Sequence, residues 1–330
     1  TLRSRGLGDV YKRQVIFNHG DELFSVANKN GVKLLYESSV CAGTPIIKLL
    51  NQEIAASKIS KISGMLNGTS NYILSNMEEG MEFEPTLKLA QEKGYAEPDP
   101  SFDIEGTDAA HKIGILSSLA FGSSLPPKDF YIEGINKIHK DDFKYAHEMG
   151  YTIKHLAIAK SMKNSIDLRA HPSLVKLDSY LANLKGVRNG IEVETDLLGT
   201  LHVAGSGAGQ EATASGVISD LIYLSDSKIK EVNNANDSSE LFDFIDLDFQ
   251  YYFYIEASDV SDVIDSISSI FENKGIGIES ISQKENLNHN LVPIIIITDT
   301  FKEKDHLGLI KNISELNSVN KIRSIRIEPQ

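Results

Sequence analysis

Apolar residues take up helical spacing from about position 20. Leu23, Phe24 and Ala27 fall on one face of a helix predicted over 20–30 and stopped by Gly31. A short apolar run at 32–36 predicts a buried strand. Pro45 then opens a helix carrying Ile46, Ile47, Leu49, Leu50 and Ile54, with the proline in the tolerated first turn. Residues 59–66 alternate as a strand, and helices are predicted over 70–79, 84–93 and 108–121, the last ending at Gly122. Between 151 and 200 the period falls to two, as in Leu156-Ala157-Ile158-Ala159 and Ile191-Glu192-Val193-Glu194, which reads as antiparallel sheet. A glycine-rich turn leads into a helix over 212–224.

Residues 225–248 are acidic and rich in Asn, Asp and Ser. That is linker composition and marks a domain boundary. Beyond it the pattern gives strands at 249–257, 276–284, 292–298 and 319–327 and helices at 260–274 and 304–316. The order β-α-β-β-α-β is the split βαβ, ferredoxin-like unit. At the other end, residues 1–14 (TLRSRGLGDVYKRQ) show neither period and are basic in an acidic chain. They read either as a frayed terminus or as a foreign piece joined to the chain. Gly6-Leu7-Gly8 is no dinucleotide fingerprint, because no strand precedes it and no third glycine follows.

A length of 330 residues implies two domains, and 41% hydrophobic with 24% charged residues is ordinary for a globular protein. The longest apolar run, 291–297, is far too short for a bilayer, and no signal-peptide layout stands at the start, so no membrane role is expected. The single cysteine, Cys41, cannot form an intrachain disulfide, which agrees with a cytoplasmic location. A net charge of −13 without a Lys/Arg cluster argues against nucleic acid as a partner.

Gly106-Thr107-Asp108-Ala109-Ala110-His111-Lys112 carries the strongest chemical signal. Lys112 falls inside the apolar stripe of Ala109, Ile113, Leu116, Leu119 and Ala120, with Asp108 one turn below. Charges directed at a core are costly unless paired or used, so the pair is either a structural ion pair or a catalytic lysine held by an aspartate. Upstream, two prolines stiffen Tyr95-Ala96-Glu97-Pro98-Asp99-Pro100, and Asp103 follows. Asn67-Gly68-Thr69-Ser70-Asn71 is either a helix cap or a carboxylate site at a helix N-terminus. Gly205-Ser206-Gly207-Ala208-Gly209 allows close approach of backbone to a flat ligand.

In this order, the segments YESSVCAGTPII (36–47), GMLNGTSNYIL (64–74), AQEKGYAEPDPSFDIEGTDAAHKI (90–113) and GAGQEATASGVISDL (207–221) resemble the homoserine dehydrogenase family. The resemblance runs from about residue 15 to the end, and residues 249–330 resemble an ACT domain, an amino-acid-sensing module. It implies an α/β and α+β chain. A C-terminal remnant of a Rossmann NAD(P)-binding domain would occupy 15–40, and a mixed α+β substrate and catalytic domain with an antiparallel sheet 41–224. The linker at 225–248 and the ferredoxin-like ACT domain would follow. The implied reaction is the NAD(P)-dependent interconversion of L-homoserine and L-aspartate 4-semialdehyde, in threonine, methionine and isoleucine biosynthesis. Carried over residue by residue, Lys112 would be the general acid, Glu97 would bind the substrate ammonium, and Asp108, Thr69, Tyr95 and Asp103 would complete the substrate pocket. Gly207, Ala208 and Gly209 would approach the nicotinamide. Glu37 with the backbone carbonyls of Val40, Ala42 and Thr44 would hold a sodium ion. A homo-oligomer and an amino-acid effector at the ACT domain are implied as well.

The chain departs from the family pattern where a full Rossmann unit and an Ala-Asn-Lys segment would precede residue 15, and the position of that lysine counts back to Arg13. The expectation is therefore that the chain as given binds NAD(P)H poorly and is inactive. In the ACT unit Asp262 stands in place of the glycine of an Asp-x-x-Gly effector turn (259–262). The alternative function is a non-enzymatic amino-acid sensor.

Overall fold

The computed structural model describes residues 7–126, 129–225, 240–258, 261–284 and 291–329. In chain order, α1 (Leu7–Lys29) is followed by the short α2 (Ile46–Lys48), which continues as a π-helical segment, Leu49–Glu53. Next come β1 (Ile59–Met65), α3 (Gly68–Glu78), α4 (Phe83–Glu92), α5 (Ser101–Ile104), α6 (Thr107–Phe121), β2 (Tyr131–Ile132), α7 (Lys140–Glu148), β3 (Tyr151–Ser161) and β4 (Ser165–Lys176). Then follow β5 (Arg188–Thr195), β6 (Gly199–Ser206), α8 (Gln210–Ser225) and β7 (Glu240–Leu241). The last elements are β8 (Asp248–Ala257), α9 (Ser261–Asn273), β9 (Ile278–Gln283), β10 (Val292–Thr298), β11 (Phe301–Lys302), α10 (Glu303–Ser314) and β12 (Val319–Ile327).

Three local expectations need correction. The first helix does not start at 20: α1 begins at Leu7, so much of the segment without apolar period is helical. Burial of Ile16 and Phe17 and an ion pair from Arg13 tie this helix down, and neither depends on an apolar stripe through 7–14. Residues 32–36 form no strand; Val32 N donates to Ala27 O at 3.0 Å, and the irregular chain runs into a 3-10 turn, Glu37–Ser39. Helix α7 was not expected, because its sequence is mostly polar.

The chain forms two compact units. The first comprises Thr1–Lys140, Lys154–His171 and Asp178–Phe242; the second Asp141–Ile153, Pro172–Leu177 and Asp243–Gln330. A single cut at the linker thus describes the C-terminal unit incompletely, since 141–153 and 172–177 belong with it.

In the first unit the sheet order is β6-β5-β1-β3-β4, with β3 counted from Lys154 and β4 as far as His171. Strand β5 runs antiparallel to both β6 and β1, and β1 antiparallel to β3. Helix α6 lays Ile113 and Leu116 into a core shared with Ile62, Ala157, Ile191 and Val193, each buried Ile, Leu or Val side chain contributing about 1.5–3 kcal/mol. Helix α1 crosses α6 closely: the Phe17 ring stacks on His111 with centroids 4.1 Å apart, and a Cβ on Gly114 would lie 2.5 Å from the Phe17 ring.

The second unit has sheet order β12-β8-β10-β9, antiparallel throughout. Helices α9 and α10 cover one face with Val263, Ile267, Phe271, Leu309 and Ile313. The β-α-β-β-α-β order read from the sequence is present, with the two-residue β11 added before α10. Helix α7 is anchored in this unit by Asp142, whose carboxylate accepts Arg323 Nε and Nη2 at 2.7–3.0 Å. Among the described residues no helix is long and apolar enough to cross a membrane.

Candidate functional site

Gly106 takes φ +85°, a conformation that glycine adopts without strain, and so turns the chain from α5 into α6. The first turn of α6 then presents Asp108, and the next turn Lys112, both buried. Lys112 Nζ lies 2.9 Å from Asp108 Oδ2 and donates to Leu66 O at 2.7 Å. The ammonium is thus fixed between the helix start and the end of β1.

Asn67 links the carboxylates. Its Nδ2 donates to Asp108 Oδ2 and to Asp103 Oδ1, each at 2.7 Å, while its Oδ1 caps α3 by accepting Ser70 N at 2.7 Å. Arg13 pairs with the other oxygen of Asp108, and its guanidinium carbon lies 5.1 Å from the centroid of the Phe102 ring. Thr69 Oγ1 donates to Tyr95 O at 2.7 Å and so ties the proline-stiffened loop to α3. Tyr95 is exposed and meets Tyr72 edge-on at 5.0 Å.

Of the residues singled out in the sequence, Lys112, Asp108 and Asp103 are therefore joined through Asn67, and Thr69 and Tyr95 stand together beside them. Glu97 is not joined to the cluster: it is exposed, and its backbone O accepts Gln91 Nε2 at 3.1 Å. Asn67, Arg13 and Asn189 were not among the candidate ligands. Asn189 carried one available signal, since it shares a face of β5 with Ile191 and Val193 and alternation therefore places it inward.

A second buried group gathers around the loop 36–48. Glu37 Oε1 and Oε2 accept Ile47 N at 2.9 Å and Lys48 N at 3.0 Å, which caps α2. Burial pushes the Glu37 carboxyl up from its ordinary value, against the lowering effect of those two N–H groups. Asp220 accepts Glu37 N at 3.0 Å and pairs with Lys48 Nζ at 2.8 Å. Val40, Ala42 and Thr44 are buried in the same loop. Gly43 N donates to Ser206 O at 2.9 Å, which brings this loop to the glycine-rich turn. There Gly209 has φ +117° and open space where a Cβ would stand, whereas a Cβ on Gly207 would meet the Asn189 amide at 2.3 Å. Among the described residues no group of three or more His, Cys, Asp and Glu side chains is placed to hold a metal ion.

The chemistry within reach of the Lys112 group is proton transfer to an oxygen that gains charge, by an ammonium already held from two sides. The family model described as homoserine dehydrogenase matches residues 45–222. The chain is 37% identical to the homoserine dehydrogenase of Neisseria gonorrhoeae, over 96% of this chain and 75% of that protein. It is similar to the crystal structure of a homoserine dehydrogenase from Thiobacillus denitrificans, with TM-score 0.88 and 36% identity over 96% of this chain and 75% of that one. A hyperthermophilic archaeal homoserine dehydrogenase in complex with NADPH matches with TM-score 0.57 and 30% identity over 66% of this chain and 62% of its own.

Proposed function

The chain belongs to the homoserine dehydrogenase family, oxidoreductases of amino-acid biosynthesis, and from that membership we propose that Lys112 is the proton donor when L-aspartate 4-semialdehyde is reduced to L-homoserine. The carrying observation is the buried ammonium fixed by Leu66 O and Asp108.

NAD(P)H, when bound, supplies the hydride to the aldehyde carbon. As that carbon is reduced its oxygen gathers negative charge; Lys112 Nζ stabilises the charge and gives up a proton to it. In the reverse direction the neutral amine takes the hydroxyl proton of homoserine. Asp108 holds the ammonium in place, and Asn67 keeps Asp108 and Asp103 in register with it. The exposed carboxylate of Glu97 pairs with the substrate ammonium, and Thr69 and Tyr95 line the same side. The glycine-rich turn fits a nicotinamide, because at Gly209 a flat ring can come close to bare backbone. The residues around Glu37 fit a sodium ion. Hard oxygen ligands suit such a cation, and its charge would offset the burial that disfavours the Glu37 carboxylate.

The 330 residues by themselves hold NAD(P)H weakly on this reading, since no strand, glycine fingerprint and helix of a parallel βαβ unit stands among the described residues. The β-α-β-β-α-β unit supports a regulatory ACT domain for an amino-acid effector. Residues 259 and 260 of its effector turn lie outside the described residues, and Asp262 is exposed. The apolar Ile218, Leu221 and Ile222, exposed on α8, favour a homo-oligomer.

The test is a chimera in which the part of the Neisseria gonorrhoeae enzyme that the chain does not match is added to it. Lys112→Met in the chimera should leave homoserine binding by calorimetry intact and lower turnover by about 10²–10⁴-fold, the range for a lost general acid. Turnover within about tenfold of the parent would make Lys112 a structural residue.

A further inference from the structure

Asn189 is wholly buried in β5, one strand away from the end of β1. Its Nδ2 donates to Leu66 O at 2.9 Å and to Cys41 Sγ at 3.1 Å. Leu66 O is the same carbonyl that accepts Lys112 Nζ at 2.7 Å. One acceptor therefore stands between the Asn189 amide and the ammonium. Asn189 Oδ1 has no hydrogen-bond partner, which is costly for a buried carbonyl oxygen. A leucine would fill the space without that cost, so packing alone does not account for an asparagine here. What asparagine adds is a donor that holds the plane of the Leu66 peptide. On its other side the amide lies against the glycine-rich turn, where a Cβ on Gly207 would stand 2.3 Å from both Cγ and Oδ1 of Asn189.

We propose that Asn189 is a positioning residue for Lys112, acting through the Leu66 carbonyl, and that Gly207 lacks a side chain to leave room for the Asn189 amide. The proposal rests on Lys112 being the proton donor for its functional meaning, but the geometry it asserts is independent of that role. The close contact at Gly207 is then internal, and an approaching ligand meets the turn at Gly209. A methyl group at position 207 would displace Asn189, tilt the Leu66 peptide and release Lys112.

The test is competitive acetylation of the folded chain with acetic anhydride, read lysine by lysine by peptide mass spectrometry. In Asn189→Leu the rate at Lys112 should rise by about tenfold, the effect of one charge-assisted hydrogen bond, with the rate at Lys48 unchanged. Gly207→Ala keeps the amide and should raise the rate at Lys112 in the same direction, so it reads the displacement even if the leucine variant does not fold. A Lys112 rate within about twofold of the parent in either folded variant would overturn the proposal. So would equal increases at Lys112 and Lys48, which would mean general loosening. Because labelling needs no turnover, it fails or succeeds separately from the kinetics of Lys112→Met.

Discussion

Lys112 and Asp108 stand one helical turn apart on α6, Nζ 2.9 Å from Oδ2, and both are buried. An ion pair taken out of water gains little by itself, because the desolvation of both charges offsets their attraction. Breaking such a pair from one side is another matter, and here Arg13 adds a further cation to the same carboxylate. Asp108→Ala should therefore unfold about 3–5 kcal/mol more easily than the parent, whereas Asp108→Asn, which keeps the shape, should lose less. Urea titration of the two variants measures this. Variants as stable as the parent would mean that the charge of Asp108 is not what holds the site.

Gly106→Ala should cost about 1–3 kcal/mol, because φ +85° is strained for alanine. The added Cβ would also stand 2.9 Å from His155 Nε2. The same change should displace Asp108, two residues on, and so weaken homoserine binding in the chimera. A variant as stable as the parent would show that the turn into α6 is not held by glycine.

His155 makes that region sensitive to pH. Burial pushes its imidazole below the ordinary value of 6.5, more strongly than the hydrogen bond to Glu133 O at 2.9 Å raises it. With a depressed folded-state value, the unfolded chain binds the proton first. The stability His155 contributes is thus complete above 6.5 and is lost as pH falls below it toward the folded value. The urea midpoint of the parent should fall between pH 7 and pH 5 more steeply than that of His155→Gln, which keeps a donor for Glu133 O. Parallel curves would remove His155 from the acid response.

In the second unit, the guanidinium of Arg323 is held by Asp142 and lies 3.9 Å from the centroid of the Tyr254 ring. A fragment of residues 243–330 omits Asp142 and leaves that guanidinium without its carboxylate. The fragment should melt well below a version that retains 141–153 and 172–177, and Arg323→Met should recover part of the difference. Circular dichroism melting decides between them. A fragment that melts as high as the extended version would show that β8 to β12 are sufficient alone.

These relationships mark what the sequence could and could not reveal. Local periods were enough for the strand and helix order of 248–327, because each element there meets its neighbours through a repeating apolar face. They were enough, too, to find Lys112 as a charge inside an apolar stripe. Helix α7 stayed hidden since its anchor, Asp142, is answered by Arg323 at a sequence separation of 181. Asn67 looked like a cap, and it is one; that the same amide joins two carboxylates depends on α5 and α6 folding back on α3. Asn189 could be placed inward by alternation, but its partner carbonyl lies on β1's far side of the sequence, 123 residues away. Glu97 was legible only through a motif, and no local contact ties its side chain to the cluster.

The most direct measurement is a double-mutant cycle between Asp108 and Lys112, with turnover of the chimera as the readout. If Asp108 acts on the reaction by holding Lys112, the double variant Asp108→Asn, Lys112→Met should be no slower than Lys112→Met alone, within about threefold, because residues that act as a unit are not additive. Losses that multiply across the cycle would contradict this, and would mean that the two side chains serve the reaction separately.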